Sequence, residues 1–270
     1  MEVKLLNTDW CNTAGKASGV RKEENMKKPE MILFDYGQTL VSEAPFDGVK
    51  GTEAVLRYCT ENKYHLTAEQ IQREADAINH ELGRFDPARR HLFQVEVPRH
   101  MFSAYLYESL GIRISLTQEE EDRIFWDAAS PGKPTEGVTE FLDYLNRRGI
   151  RTGVVSNISY CGQVVEQRIR GLFPGQPFEF ILATSEYMFR KPNERIFRLA
   201  LEKAGLEPEK VWYIGDQYEC DIVGAAGAGL FPVWYIGAID LPYMPHEEVL
   251  TADSWEEIQR ILDGAEAGTA

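Results

Sequence analysis

No apolar run in this chain approaches the ~18 residues that a membrane-spanning helix needs, and no segment has the plan of a secretory leader. Cysteine is sparse: Cys11, Cys59, Cys161 and Cys220 are scattered, with no Cys-x-x-Cys pair and no His/Cys ligand spacing. That argues against a thiolate metal site, a redox pair and a disulfide framework, and a chain of 270 residues can build its core without staples. Positive charge is also in deficit. Lys and Arg number 29 against 43 Asp and Glu, a net charge of −14. Nucleic acid and anionic membrane surfaces are therefore poor partners, since both are gripped by an excess of Lys and Arg. The expected location is the cytoplasm. An anionic substrate would need a local positive device, such as a metal ion or one well-placed Lys.

What is present is an ordinary globular composition, 43% hydrophobic and 27% charged. Residues 1–30 are polar without sustained periodicity and read as a flexible extension, with Met26 as an alternative start. Residues 263–270 read as a frayed tail. Met31-Ile32-Leu33-Phe34 predicts a strand buried on both faces. Residues 48–130 carry only helical signals, in stripes such as Val55/Tyr58/Cys59, Ile71/Ala75/Ile78 and Phe102/Tyr105/Leu106/Leu110. From Thr135 strands and helices alternate. Val138, Phe141, Leu142 and Leu145 mark a helix face, and strands follow at Thr152–Val155, Phe178–Leu182, Val211–Ile214 and Phe231–Tyr235. Such alternation predicts an α/β fold, a Rossmann-like mostly parallel sheet covered by helices. Residues 31–47 and 131–262 would form this core, with residues 48–130 an inserted all-helical cap. Gly224–Gly229 does not follow a strand directly, so it reads as tight helix–sheet packing rather than a dinucleotide loop.

Ligands of open α/β sheets bind beyond the carboxyl ends of the strands. Asp35-Tyr36-Gly37-Gln38-Thr39 follows the first strand, Ser156-Asn157 the second, and Gly215-Asp216 the fourth, with Asp221 one turn further on and Arg190-Lys191-Pro192 in between. Taken singly, each Asp is a turn former or helix cap and Lys191 a surface charge. Jointly they set three carboxylates, a hydroxyl, an amide and an ammonium at one rim. Hard oxygen ligands suit Mg²⁺, a carboxylate can attack phosphorus, and a hydroxyl with an ammonium can hold phosphoryl oxygens.

On these four motifs, in this order, the chain resembles the haloacid dehalogenase-like (HAD) superfamily of hydrolases over residues 31–262. The resemblance implies Asp35 as nucleophile, with Asp35, the Gly37 carbonyl, Asp216 and Asp221 around Mg²⁺. It also implies Ser156, Asn157 and Lys191 at a small phosphorylated substrate, Ser156 and Lys191 sharing in catalysis. Position 37 departs from the pattern, because HAD phosphatases usually carry there a second Asp that passes protons. Its loss is worth ~10²–10⁴-fold in rate, so turnover is expected to be weak unless another group acts. Glu43, on the following loop, and His91 are the candidates. The expected activity is a Mg²⁺-dependent phosphatase or phosphotransferase. The alternatives are a non-catalytic metal- and phosphate-binding regulator, or a metal-independent 2-haloacid dehalogenase-type hydrolase. Arg84, Phe85, Arg89, Arg90, Phe93 and Arg99 are candidates to line the cap entrance. Oligomeric state is left open.

Overall fold

Met31-Ile32-Leu33-Phe34 is apolar at every position because the strand it forms, β1 (Met31–Phe34), is covered on both sides. Ile32 and Phe34 face one hydrophobic cluster and Met31 and Leu33 face another, as the two-residue repeat of a strand requires. Burying such a side chain contributes about 1.5–3 kcal/mol. The computed structural model describes residues 26–84, 94–239 and 249–267.

After β1 come β2 (Val41–Glu43), α1 (Gly48–Leu56), β3 (Cys59–Asn62), α2 (Ala68–Glu81), α3 (Arg99–Ser109), β4 (Ile112–Ile114), α4 (Gln118–Ala129) and β5 (Gly132–Pro134). The chain continues through α5 (Val138–Arg147), β6 (Arg151–Ser156), α6 (Gly162–Leu172), β7 (Phe178–Ala183), α7 (Glu194–Ala204) and β8 (Val211–Gly215). A π-helical turn (Tyr218–Val223), α8 (Gly224–Gly227), β9 (Phe231–Tyr235), β10 (Leu250–Ala252) and α9 (Trp255–Ala267) complete it. The main sheet has six strands in the order β10-β9-β8-β1-β6-β7, every pairing parallel. Phe141 of α5, Val165 of α6 and Trp255 of α9 cover one face. Ile196, Phe197 and Ala200 of α7 cover the other. This is the expected Rossmann-like α/β class.

Three details differ from the sequence reading. Residues 48–130 hold their helices but also a short antiparallel ribbon, β3 with β4. These strands are three or four residues long, too short for a two-residue repeat to stand out. Helix α1 stops at Leu56, leaving Tyr58 exposed and Cys59 in β3, so that stripe does not share one helix face. The segment from Asp263 is helical through Ala267, and Tyr144 Oη donates to Asp263 Oδ1 at 2.8 Å. Met26 packs against the core.

The helix starts of this region follow local chemistry. Thr67 with Gln70 and Thr117 with Glu120 form reciprocal caps on α2 and α4. No helix among the described residues is long and apolar enough to cross a membrane. Cys59, Cys161 and Cys220 form no disulfide among the described residues. Residues 1–25, Phe85, Arg89, Arg90, His91 and Phe93 lie outside the described residues.

Candidate active site

Three neighbouring strands deliver the expected chemistry to one rim. Asp35 follows β1 and its N–H donates to the Ile214 carbonyl at 2.8 Å; Ser156 ends β6, and Asp216 follows β8. Strand order β8-β1-β6 makes these ends adjacent. Asp221 returns from the π-helical turn, and Lys191 arrives from the loop before α7.

Lys191 lies at the centre. Its side chain is 2% exposed, and Nζ donates to Asp35 Oδ1 at 2.5 Å, to Asp221 Oδ1 at 2.7 Å and to the Tyr213 hydroxyl at 2.7 Å. Burial works against its charge, yet the carboxylates of Asp221 and Asp35 outweigh it and hold the ammonium well above the ordinary lysine range. The backbone is fixed as firmly: Asn157 Nδ2 donates to the Lys191 carbonyl at 2.9 Å and its Oδ1 accepts the Lys191 N–H at 2.8 Å. Asn157 therefore acts here as a clamp on Lys191. Gly224 closes the packing below, since a Cβ there would lie 2.8 Å from Phe197 and 2.9 Å from the Pro192 Cα. Of the Gly224–Gly229 run, Gly224 packs closely against Phe197 of α7 rather than against the sheet.

The acids are unequal. Burial raises Asp35 to about 6, with Lys191 pulling it back. Burial raises Asp216 further, to about 8, and the charges of Asp35 and Asp221 add to it. Asp221 Oδ2 accepts the Gln217 N–H at 2.9 Å, so both its oxygens have donors. Asp216 Oδ1 is buried with no hydrogen-bond donor among the described residues. One oxygen from each of Asp35, Asp216 and Asp221 lies within 4.8 Å of the others. Three carboxylates around one ammonium leave negative charge in excess.

Glu43 belongs to β2 rather than to a loop, and β2 pairs antiparallel with β5. Its Oε1 accepts from Trp126 Nε1 at 2.9 Å and from the Tyr36 hydroxyl at 3.4 Å, and lies 3.5 Å from Arg168. Burial raises the carboxyl above its usual range, while Trp126 and Arg168 draw it back. Arg168 also ties the Tyr36 hydroxyl, Asp127 and the Ser130 carbonyl together. No local pattern pointed to Trp126 or Arg168, because each meets the rim from a distant element.

A cavity of about 590 Å³ opens onto Asp35, Gly37, Ser156, Lys191 and Glu43. Its far wall is largely apolar, with Phe46, Phe102, Leu106, Phe125 and Tyr160. The cations along it are matched. Arg99, expected to line the entrance, is buried against Glu121 and Asp122 and lies over the Phe125 ring. Arg84 and Arg190 both pair with Glu96.

Fold and rim together define a class: a parallel α/β core with a carboxylate cluster at the carboxyl edge of its sheet. The family model for haloacid dehalogenase-like hydrolases matches residues 29–229, and the chain belongs to that family. It is 33% identical over 111 residues to haloacid dehalogenase-like hydrolase domain-containing protein 3 of Mus musculus, a match covering 40% of this chain and 43% of that protein. It is 27% identical over 209 residues to the pyrimidine 5'-nucleotidase YjjG of Escherichia coli strain K12, covering 77% of this chain and 86% of the relative. Among solved structures, a HAD phosphatase from Thermococcus onnurineus superposes with TM-score 0.59 at 19% identity, over 87% of this chain and 98% of that one. The match thus spans less than half of the mouse relative's length. The protein is a HAD-like hydrolase, and proteins named as phosphatases are among its relatives.

Proposed function

We propose that this chain is a Mg²⁺-dependent phosphatase for small phosphate monoesters, with Asp35 as the attacking carboxylate. The observation that carries the reading is the buried, donor-free Oδ1 of Asp216 beside Asp35 and Asp221. A buried acceptor is normally satisfied, and a surplus of hard carboxylate oxygens suits a divalent cation of the Mg²⁺ type. Asp35, Asp216 and the Gly37 carbonyl would hold the ion, with Asp221 completing the set or holding Lys191 against it. When bound, the ion neutralises repulsion between carboxylate and phosphate. Ser156 and Lys191 would then hold phosphoryl oxygens, a role supported by the bonds with which Asn157 fixes the Lys191 backbone. Residues 48–130 act as a cap that excludes water.

The cavity favours a substrate whose organic part is compact and largely apolar. Its aromatic wall offers contact area, and Arg84, Arg99 and Arg190 are already matched by carboxylates. A non-catalytic phosphate-binding role is favoured by Gly37 alone. A metal-independent dehalogenase would have no need of the Asp216 cluster.

Hydrolysis of para-nitrophenyl phosphate and acetyl phosphate, with and without Mg²⁺, tests the reading against Asp35→Asn. Both have leaving groups that scarcely need an acid. Turnover that requires Mg²⁺ and disappears in Asp35→Asn is expected. Phosphate binding without turnover, in folded wild-type protein, would transfer the assignment to a binding protein.

A further inference from the structure

Gly37 leaves the rim without a side chain two residues beyond Asp35. The chain then turns sharply. Gln38 N–H donates to the Val41 carbonyl at 2.7 Å, Val41 N–H to the Tyr36 carbonyl at 3.0 Å, and Gln38 Nε2 to the Glu43 carbonyl at 3.1 Å. This fold-back lays residue 43 beside residue 37. The two oxygens of Glu43 have different surroundings. Oε1 is held by Trp126 and Tyr36. Oε2 faces the gap at Gly37, and a Cβ built on Gly37 would lie 3.5 Å from it. The carboxylate thus stands in the space that a side chain at position 37 would enter, and it lines the same cavity as Asp35.

We propose that Glu43 is the proton carrier of this enzyme, doing from β2 what no side chain at position 37 can do. The inference rests on the phosphatase reading. In the first half, an Asp35 oxygen bonds to phosphorus, the bond from phosphorus to the ester oxygen breaks, and that oxygen takes a proton from the Glu43 carboxylic acid. The alcohol leaves and Asp35 carries the phosphoryl group. In the second half, a water oxygen bonds to phosphorus and gives a proton to the Glu43 carboxylate. The bond from phosphorus to Asp35 breaks, inorganic phosphate departs, and Glu43 is again protonated. Trp126 holds Oε1 so that Oε2 is the oxygen presented.

A purely structural Glu43 would do no more than anchor Trp126, Tyr36 and Arg168, and Gln preserves the first two contacts because its amide oxygen can accept the same N–H and O–H, losing only the charge beside Arg168. Glu43→Gln should therefore melt close to wild type yet lose ~10²–10⁴-fold in steady turnover of alkyl phosphates, the usual worth of positioned proton transfer. With para-nitrophenyl phosphate it should release a burst of nitrophenol and accumulate phosphoenzyme, since the first half needs little acid but the second still needs a base. Adding Gly37→Asp to Glu43→Gln should recover at least tenfold of the loss. In the wild type, kcat/KM should depend only weakly on the leaving-group pKa. Equal losses for alkyl and aryl donors without phosphoenzyme accumulation, or a steep leaving-group dependence in the wild type, would overturn the role of Glu43 while leaving the phosphatase standing. Wild-type protein that forms neither phosphoenzyme nor phosphate from acetyl phosphate would remove both.

Discussion

Replacing Lys191 by Met removes the only cation bonded to the carboxylate cluster among the described residues and leaves a side chain of similar length. In the native protein Lys191 donates to Asp35, Asp221 and Tyr213, all within 2.7 Å, at a site almost closed to water. Breaking a buried ion pair from one side costs about 3–5 kcal/mol, because the remaining charge is left without compensation. For a domain of this size that corresponds to a fall in Tm of roughly 6–20 °C. The cost should depend on pH. Asp35 stands at about 6 and Asp216 at about 8 in the folded protein, against an ordinary 3.8. Losing the ammonium raises both further. A carboxyl raised on folding is stabilising below its unfolded pKa, and that contribution is lost as pH rises through the folded value. Urea unfolding in EDTA should therefore show a larger penalty for Lys191→Met at pH 8 than at pH 5. Combining it with Asp221→Asn, which removes one of the stranded charges, should cost less than the sum of the single changes. A penalty below 1 kcal/mol at pH 8, or one that does not vary with pH, would refute the central role given to Lys191.

The same cluster predicts that millimolar Mg²⁺ raises Tm in a thermal melt, more at pH 8 than at pH 5.5, because protons compete for Asp216 and Asp35 at the lower pH. Asp216→Asn should abolish that shift, and an unchanged shift in the variant would place the ion elsewhere. A Cβ at position 215 would overlap Asp221 Cγ, so Gly215→Ala should push that carboxylate off Lys191. Overpacking of this kind costs about 1–3 kcal/mol, and Tm together with para-nitrophenyl phosphate turnover should fall; unchanged values would mean that the loop has room to yield.

The class of this protein was legible along the chain because its signals are local. The apolar β1 run and the alternation after Thr135 each depend on residues within a turn or two. In a parallel sheet the strand ends share one edge, so the strand pattern alone groups Asp35, Ser156 and Asp216. Lys191 read singly as a surface charge, and only packing showed it as the buried centre of the rim. The pair of bonds by which Asn157 fixes the Lys191 backbone was not readable along the chain. Arg99 does line the cavity, and its pairing with Glu121 and Asp122 was decided by packing. Glu43 could be noted from its nearness to the first motif. Its orientation came from Trp126, 83 residues away on α4. Periodicity records which face of a helix or strand is buried. It holds no record of which distant side chain comes to rest against that face, and the charge balance and proton path of this site depend on such contacts.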